Sequence, residues 1–127
     1  MLEVSPELII KIHRDAINQG IKDEKSLMDA IRDEGCLPAI CFGDPLNNPF
    51  GRATYYLHRI STRHPFVEGN KRTAFLTAAL ILLEDGNCMI SNDVKENNEF
   101  VRSVAAGNTS EEDVEKWLRG HFIRSVL

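Results

Sequence analysis

Apolar residues recur three and four positions apart along most of this chain, and alternation at every second residue is almost absent. That spacing belongs to helices with one buried face. Ser5 followed by Pro6 predicts a first helix start, with Leu8, Ile9, Ile12, Ala16 and Ile17 on its apolar face and Gly20 as its stop. Ser26 is placed to cap a short second helix carrying Leu27, Ala30 and Ile31, which Gly35 ends. Residues 36–50 contain three prolines, one glycine and two asparagines and read as a loop. Long irregular loops in compact domains often border functional sites. A third helix is expected from Gly51 to Thr62, with Ala53, Tyr56, Leu57 and Ile60 on one face. A fourth runs from about Asn70 to Asp85, closed by Gly86, and is apolar on nearly every side, as suits a helix surrounded by others. Asn92 or Ser91 caps a fifth helix that ends near Ala106, and Gly107-Asn108 forms a turn. Capping-box spacing from Thr109 to Glu112 opens a last helix through Trp117, Leu118 and Phe122. Only Cys88-Met89-Ile90 hints at an extended piece. The expected fold is all-α: about six helices in one compact domain over residues 1–127, with a short loop leading into a buried central helix.

Composition narrows the class. The chain has 127 residues, 43% of them hydrophobic and 27% charged, which suits one globular domain able to bury a core. Its net charge of −4 argues against a general nucleic-acid binder, so no direct nucleic-acid binding is expected. No stretch approaches the ~20 apolar residues of a bilayer span, and MLEVSPELII lacks the pattern of a signal peptide. Cys36, Cys41 and Cys88 are odd in number and form no Cys-x-x-Cys pair, which suits free thiols in a reducing cytoplasm. A cytoplasmic protein without membrane contacts is the expectation.

The chemistry is concentrated in residues 64–72, His-Pro-Phe-Val-Glu-Gly-Asn-Lys-Arg, immediately before the fourth helix. A helix start offers unpaired backbone N–H groups and the positive end of a dipole, where phosphate sits well. Lys71 and Arg72 add charge there, with Arg63 close by in sequence. Glu68 is of the type that holds a divalent cation, and His64 of the type that accepts a proton near neutral pH. Taken singly, each has a plainer reading: a packed His, a helix-start carboxylate, a Gly-Asn turn, a solvated Lys-Arg pair. Together, in one loop, they are the parts of a phosphoryl- or nucleotidyl-transfer site.

The same string resembles the signature of the Fic/Doc family, His-Pro-Phe-x-(Asp/Glu)-Gly-Asn-x-Arg, and within it the death-on-curing (Doc) branch, which carries Lys at the place of Lys71. IIKIHRDAINQGIKDEKSLMDAI is similar to the family's opening segment and EFVRSVAAGNTSEEDVEKWL to its closing helices, while residues 36–52 match least. The resemblance implies a compact helical Fic core, with His64 as general base and Glu68 as ligand of Mg²⁺. It implies ATP as co-substrate, bound at Gly69, Asn70, Lys71 and Arg72, with Pro65 and Phe66 as structural anchors of the motif. Gly69 lets backbone approach phosphate, Asn70 adds an amide donor, and Arg72 offers a fork of donors that Lys could not reproduce.

Adenylylating relatives have Gly where this chain has Lys71, and many carry a second Arg where it has Phe75. Both departures favour transfer of the γ-phosphate to a Ser or Thr hydroxyl of a protein over transfer of AMP. Likeness to the Doc branch implies a translation factor of the elongation factor Tu type as target and the role of toxin in a toxin–antitoxin pair. The loop at 36–50 is then expected to border the active site and meet the protein substrate. No Ser/Thr-x-x-x-Glu-Gly/Asn inhibitory string occurs, Thr109-Ser-Glu-Glu-Asp113 being nearest, so inhibition is expected from a separate antitoxin protein. The alternatives are a Fic-type protein adenylyltransferase and a non-catalytic helical binding module. His13 is expected to be a packed core histidine, and neither His58 nor His121 has a partner at metal-ligand spacing.

Overall fold

A computed structural model describes residues 1–17 and 31–124. Among them are six helices and one small sheet. The helices are α1 (Pro6–Ile17), α2 (Cys36–Phe42), α3 (Pro49–Arg63), α4 (Asn70–Gly86), α5 (Val94–Ala105) and α6 (Glu111–Gly120). Strands β1 (Cys88–Ile90) and β2 (Phe122–Arg124) pair antiparallel, with Cys88 opposite Arg124 and Ile90 opposite Phe122. The expected second helix and the Gly20 stop lie outside the described residues, and Ile31 forms an isolated bridge with Phe66 of the motif loop.

The pair α3–α4 is the centre of the fold, with α1 against α4, α6 against α3 and α5 packed across both. Ala53, Tyr56, Leu57 and Ile60 of α3 meet Ala74, Ala78, Ile81 and Leu82 of α4 in one core that also takes in Ile9, Ile40, Phe66, Val104 and Leu118. These side chains are buried as the helical spacing requires, and removal of their apolar surface from water is the main force that holds the layers together. Contrary to the all-round burial expected of α4, its Leu76 and Leu83 are exposed. Leu76 opens onto a cleft described below.

Several sequence expectations shift. Residues 36–42 are helical rather than loop. Pro38 falls in the first turn of α2, where its missing N–H leaves no bond unmade, and Gly35 precedes this helix instead of ending another. Asn48 caps α3 by accepting from the Gly51 amide, with Pro49 in the first turn. At the end of α4 it is Asn87, φ 51°, and not Gly86, that takes the left-handed conformation. Asp93 caps α5 in place of Ser91 or Asn92, and Ser110 caps α6 in place of Thr109. Phe122 lies in β2 rather than at the end of α6.

One charged cluster is interior. Arg52 is 1% exposed and donates to Asp44 at 2.8 Å and to Asp85 at 3.0 Å, while the Tyr56 hydroxyl donates to Asp44 at 2.8 Å. The Leu2 amide donates to Asp85 at 2.7 Å, so the cluster joins the N-terminus, the 43–48 loop and both central helices. Burial by itself would raise the Asp44 carboxyl; hydrogen bonds from Arg52, the Leu46 amide and Tyr56 outweigh it and hold Asp44 below its ordinary range. A second tie fixes α5. Phe100, Trp117 and His121 form a continuous ring stack, with centroids 3.9 Å and 4.0 Å apart. His121 directs Nδ1 at the Trp117 carbonyl and Nε2 at Glu96, which ties α6 to α5.

Candidate active site

The motif loop joins α3 to α4, and its course follows from a few backbone requirements. His64 ends α3 with φ 50° and ψ 63°, a left-handed residue that turns the chain out of the helix. Its carbonyl and that of Arg63 both accept from the Arg32 guanidinium, at 2.6 Å and 2.8 Å. Phe66 then drives inward, fully buried and stacked on the His13 ring at 3.8 Å. His13 in turn donates from Nε2 to the Glu68 carbonyl at 2.9 Å. Burial lowers the His13 pKa and keeps the ring neutral, so it packs and orients the loop, as its place on α1 implied.

Gly69, φ 79°, makes the second sharp turn, in a region that side chains with a Cβ rarely adopt. Asn70 closes the loop on itself. Its Oδ1 accepts from the Phe66 amide and its Nδ2 donates to the Phe66 carbonyl, both at 2.9 Å. The amide expected to reach phosphate is therefore engaged within the loop, where it sets the shape of the turn. The start of α4 follows at once, with no side-chain cap on its free N–H groups.

This loop forms one side of a cleft of about 870 Å³. His64, Glu68, Gly69, Asn70, Lys71 and Arg72 all line it, so the sequence-marked residues other than Pro65 and Phe66 are brought together. Those two are buried beneath the loop as anchors. The imidazole of His64, the carboxylate of Glu68 and the ammonium of Lys71 are exposed and have no side-chain partner among the described residues. Arg72 reaches the cleft but donates from Nη1 to the Ala16 carbonyl at 2.8 Å, capping the last turn of α1. A guanidinium carries five N–H donors, so this contact leaves others for a ligand. Arg63 does not line the cleft.

A scan against family models matches residues 3–82 to the Fic/DOC family. The chain belongs to the Fic/DOC family. The matched span ends inside α4 and includes the whole motif loop. No curated protein matches the chain. Fic/DOC proteins are in general transferases that modify protein targets and use ATP.

Sequence reasoning missed the opposite wall of the Fic/DOC cleft. Val94, Asn97, Asn98, Val101 and Arg102 of α5 face the motif across it, with Phe75 and Leu76 of α4 at its floor. Positions 94, 98, 101 and 102 share a helix face, a pattern visible in the sequence, yet nothing local says what that face meets. The loop expected to border the site does not. Gly43, Pro45 and Asn47 line a separate cleft with Tyr55, Glu111 and Arg119. The Thr109–Asp113 stretch nearest to an inhibitory string also lies away from the motif: Ser110 caps α6 and Glu111 pairs with Arg59.

No group of three or more His, Cys, Asp or Glu residues placed to hold a metal occurs among the described residues. One free carboxylate, Glu68, fits a magnesium that arrives with nucleotide phosphates and is held mostly by them. Burial pushes the Cys36 thiol up and raises Cys41 to about 11, which disfavours the reactive thiolate at both. Among the described residues, no helix is long and apolar enough to cross a membrane.

Proposed function

We propose that this Fic/DOC protein transfers the γ-phosphate of ATP to a Ser or Thr hydroxyl of a target protein, within one catalytic domain spanning the chain. The observation that carries this reading is the unpartnered His64 imidazole in the same cleft as the uncapped start of α4 and the free Lys71 ammonium. In the proposed reaction the target hydroxyl oxygen forms a bond to the γ-phosphorus, and the bond from that phosphorus to the β,γ-bridging oxygen breaks. ADP leaves, and His64 accepts the hydroxyl proton. The N–H groups at the start of α4, Lys71 and the remaining donors of Arg72 hold the phosphate oxygens. Glu68 would hold Mg²⁺, whose chemistry is to neutralise phosphate charge. Asn70 acts through the loop geometry it fixes.

Lys71 favours γ-phosphate transfer over AMP transfer, because it fills the place that Gly leaves open in adenylylating relatives. By likeness to the Doc branch, the proposed target is a translation factor of the elongation factor Tu type. The proposed setting is the cytoplasm, as the toxin of a toxin–antitoxin pair whose antitoxin is a separate protein. Parallel transfer assays with γ-labelled and α-labelled ATP, in host-type lysate with Mg²⁺, test the reading. Label on protein from the γ position only, lost in His64→Ala, is the expected result. Label from the α position identifies an adenylyltransferase instead, and label from neither rejects ATP-dependent transfer.

A further inference from the structure

The cleft has a charge character opposite to that of the chain. The protein carries a net charge of −4, yet its cleft holds Lys71, Arg72 and Arg102 against the single carboxylate of Glu68. Two of those cations belong to the motif. Arg102 does not: it stands on α5, in the opposite wall, beyond the span that matches the family. Other arginines facing acceptors are committed. Arg52 is held by Asp44 and Asp85, Arg59 by Glu111, Arg119 by Glu115 and Arg32 by two carbonyls. Arg102 is exposed, and among the described residues its guanidinium has no acceptor.

Phe75 and Leu76 of α4 line the same cleft and offer no donor, so beyond the motif Arg102 is its one cationic side chain among the described residues. We propose that Arg102 is a nucleotide-binding residue of this chain, which supplies from α5 a second guanidinium for the phosphate groups of the bound nucleotide. The proposal rests on the ATP-dependent reading of the cleft. A guanidinium suits this task because its donors are fixed in a fork that matches phosphate oxygens. Its wall is held in place by the Phe100–Trp117–His121 stack behind it and by the Asn97 amide, which donates to the Ser91 carbonyl at 2.7 Å.

Competition of ATP, ADP and AMP against a fluorescent ATP analogue, on the intact chain and on Arg102→Ala and Arg102→Lys, tests the assignment. Arg102→Ala should weaken ATP by about tenfold, with a smaller deficit for ADP and the least for AMP. Arg102→Lys should recover part of the loss, and its unfolding midpoint and that of Arg102→Ala should match the wild type. An ATP affinity unchanged in Arg102→Ala overturns the assignment while leaving the ATP-dependent reading intact. A deficit equal for all three nucleotides also overturns it, since contact with the phosphate chain requires a gradient. Failure of the wild type to bind any of the three removes the ATP-dependent reading and the assignment together.

Discussion

Two groups of charges lie at opposite ends of α4, and they are treated in opposite ways. At its C-terminal end Arg52, Asp44, Asp85 and Tyr56 are drawn inside and bonded to one another. At its N-terminal end Glu68 and Lys71, with Arg102 across the cleft, face solvent without side-chain partners among the described residues. A buried charge must find its partner within the protein, because unpaired burial is prohibitively unfavourable. An exposed charge in a concave site is under no such demand and is available to a ligand. The first group therefore reads as structure and the second as function, although both use the same residue types.

Breaking the interior group gives the largest expected effect. Arg52→Ala leaves two carboxylates buried without their cation and should lower unfolding free energy by ~3–5 kcal/mol in urea titration. A loss below ~1 kcal/mol would place the cluster on the surface and void the contrast. Asn70→Ala comes next, as it touches both categories. Loss of its two bonds to Phe66 should lower stability by ~1–3 kcal/mol and reduce transfer activity as well, read by melting and by labelled-ATP turnover. Activity lost with stability unchanged would mean that the amide serves the ligand and not the loop.

Acid gives a smaller change. His58 accepts from Arg59 through Nδ1 at 2.9 Å, an interaction that protonation removes. Burial chiefly, helped by the Arg59 charge and opposed by Glu111, lowers its pKa from 6.5. The unfolded chain then binds the proton more readily than the folded one, so this contribution is present above pH 6.5 and declines as pH falls below it. Chemical denaturation between pH 7 and pH 5 should show a slope that flattens in His58→Gln. Lys71→Met should matter least for the fold, within ~0.5 kcal/mol of wild type, while weakening ATP. A destabilised Lys71→Met would show that the cleft charge is structural after all.

Much of this division was legible in the sequence. The motif residues are consecutive, so their convergence needs only one turn between two helices, and the apolar spacing marks those helices without long-range information, though it starts α3 at Gly51 and the structure starts it at Pro49. What failed did so for identifiable reasons. Pro38 made 36–42 look irregular, although proline is tolerated in a first helical turn. Adjacent capping candidates, Thr109 and Ser110 or Asn92 and Asp93, differ by one position and are separated only by backbone geometry. The pairing of β1 with β2 joins Cys88 to Arg124, a contact between distant parts of the chain that local pattern does not encode. The same holds for α5: its face toward the cleft is polar enough to pass for a solvated surface, and only the packing of α5 on α3 and α4 shows what it opposes.

The ring stack behind α5 has a practical consequence. Trp117 is the only tryptophan of the chain, half-buried between Phe100 of the cleft wall and His121. Indole emission responds to the rings against it, so any displacement of the wall as the cleft fills is registered at a single fluorophore. The protein carries its own optical probe, on the far side of the wall from the chemistry and out of the way of whatever binds there.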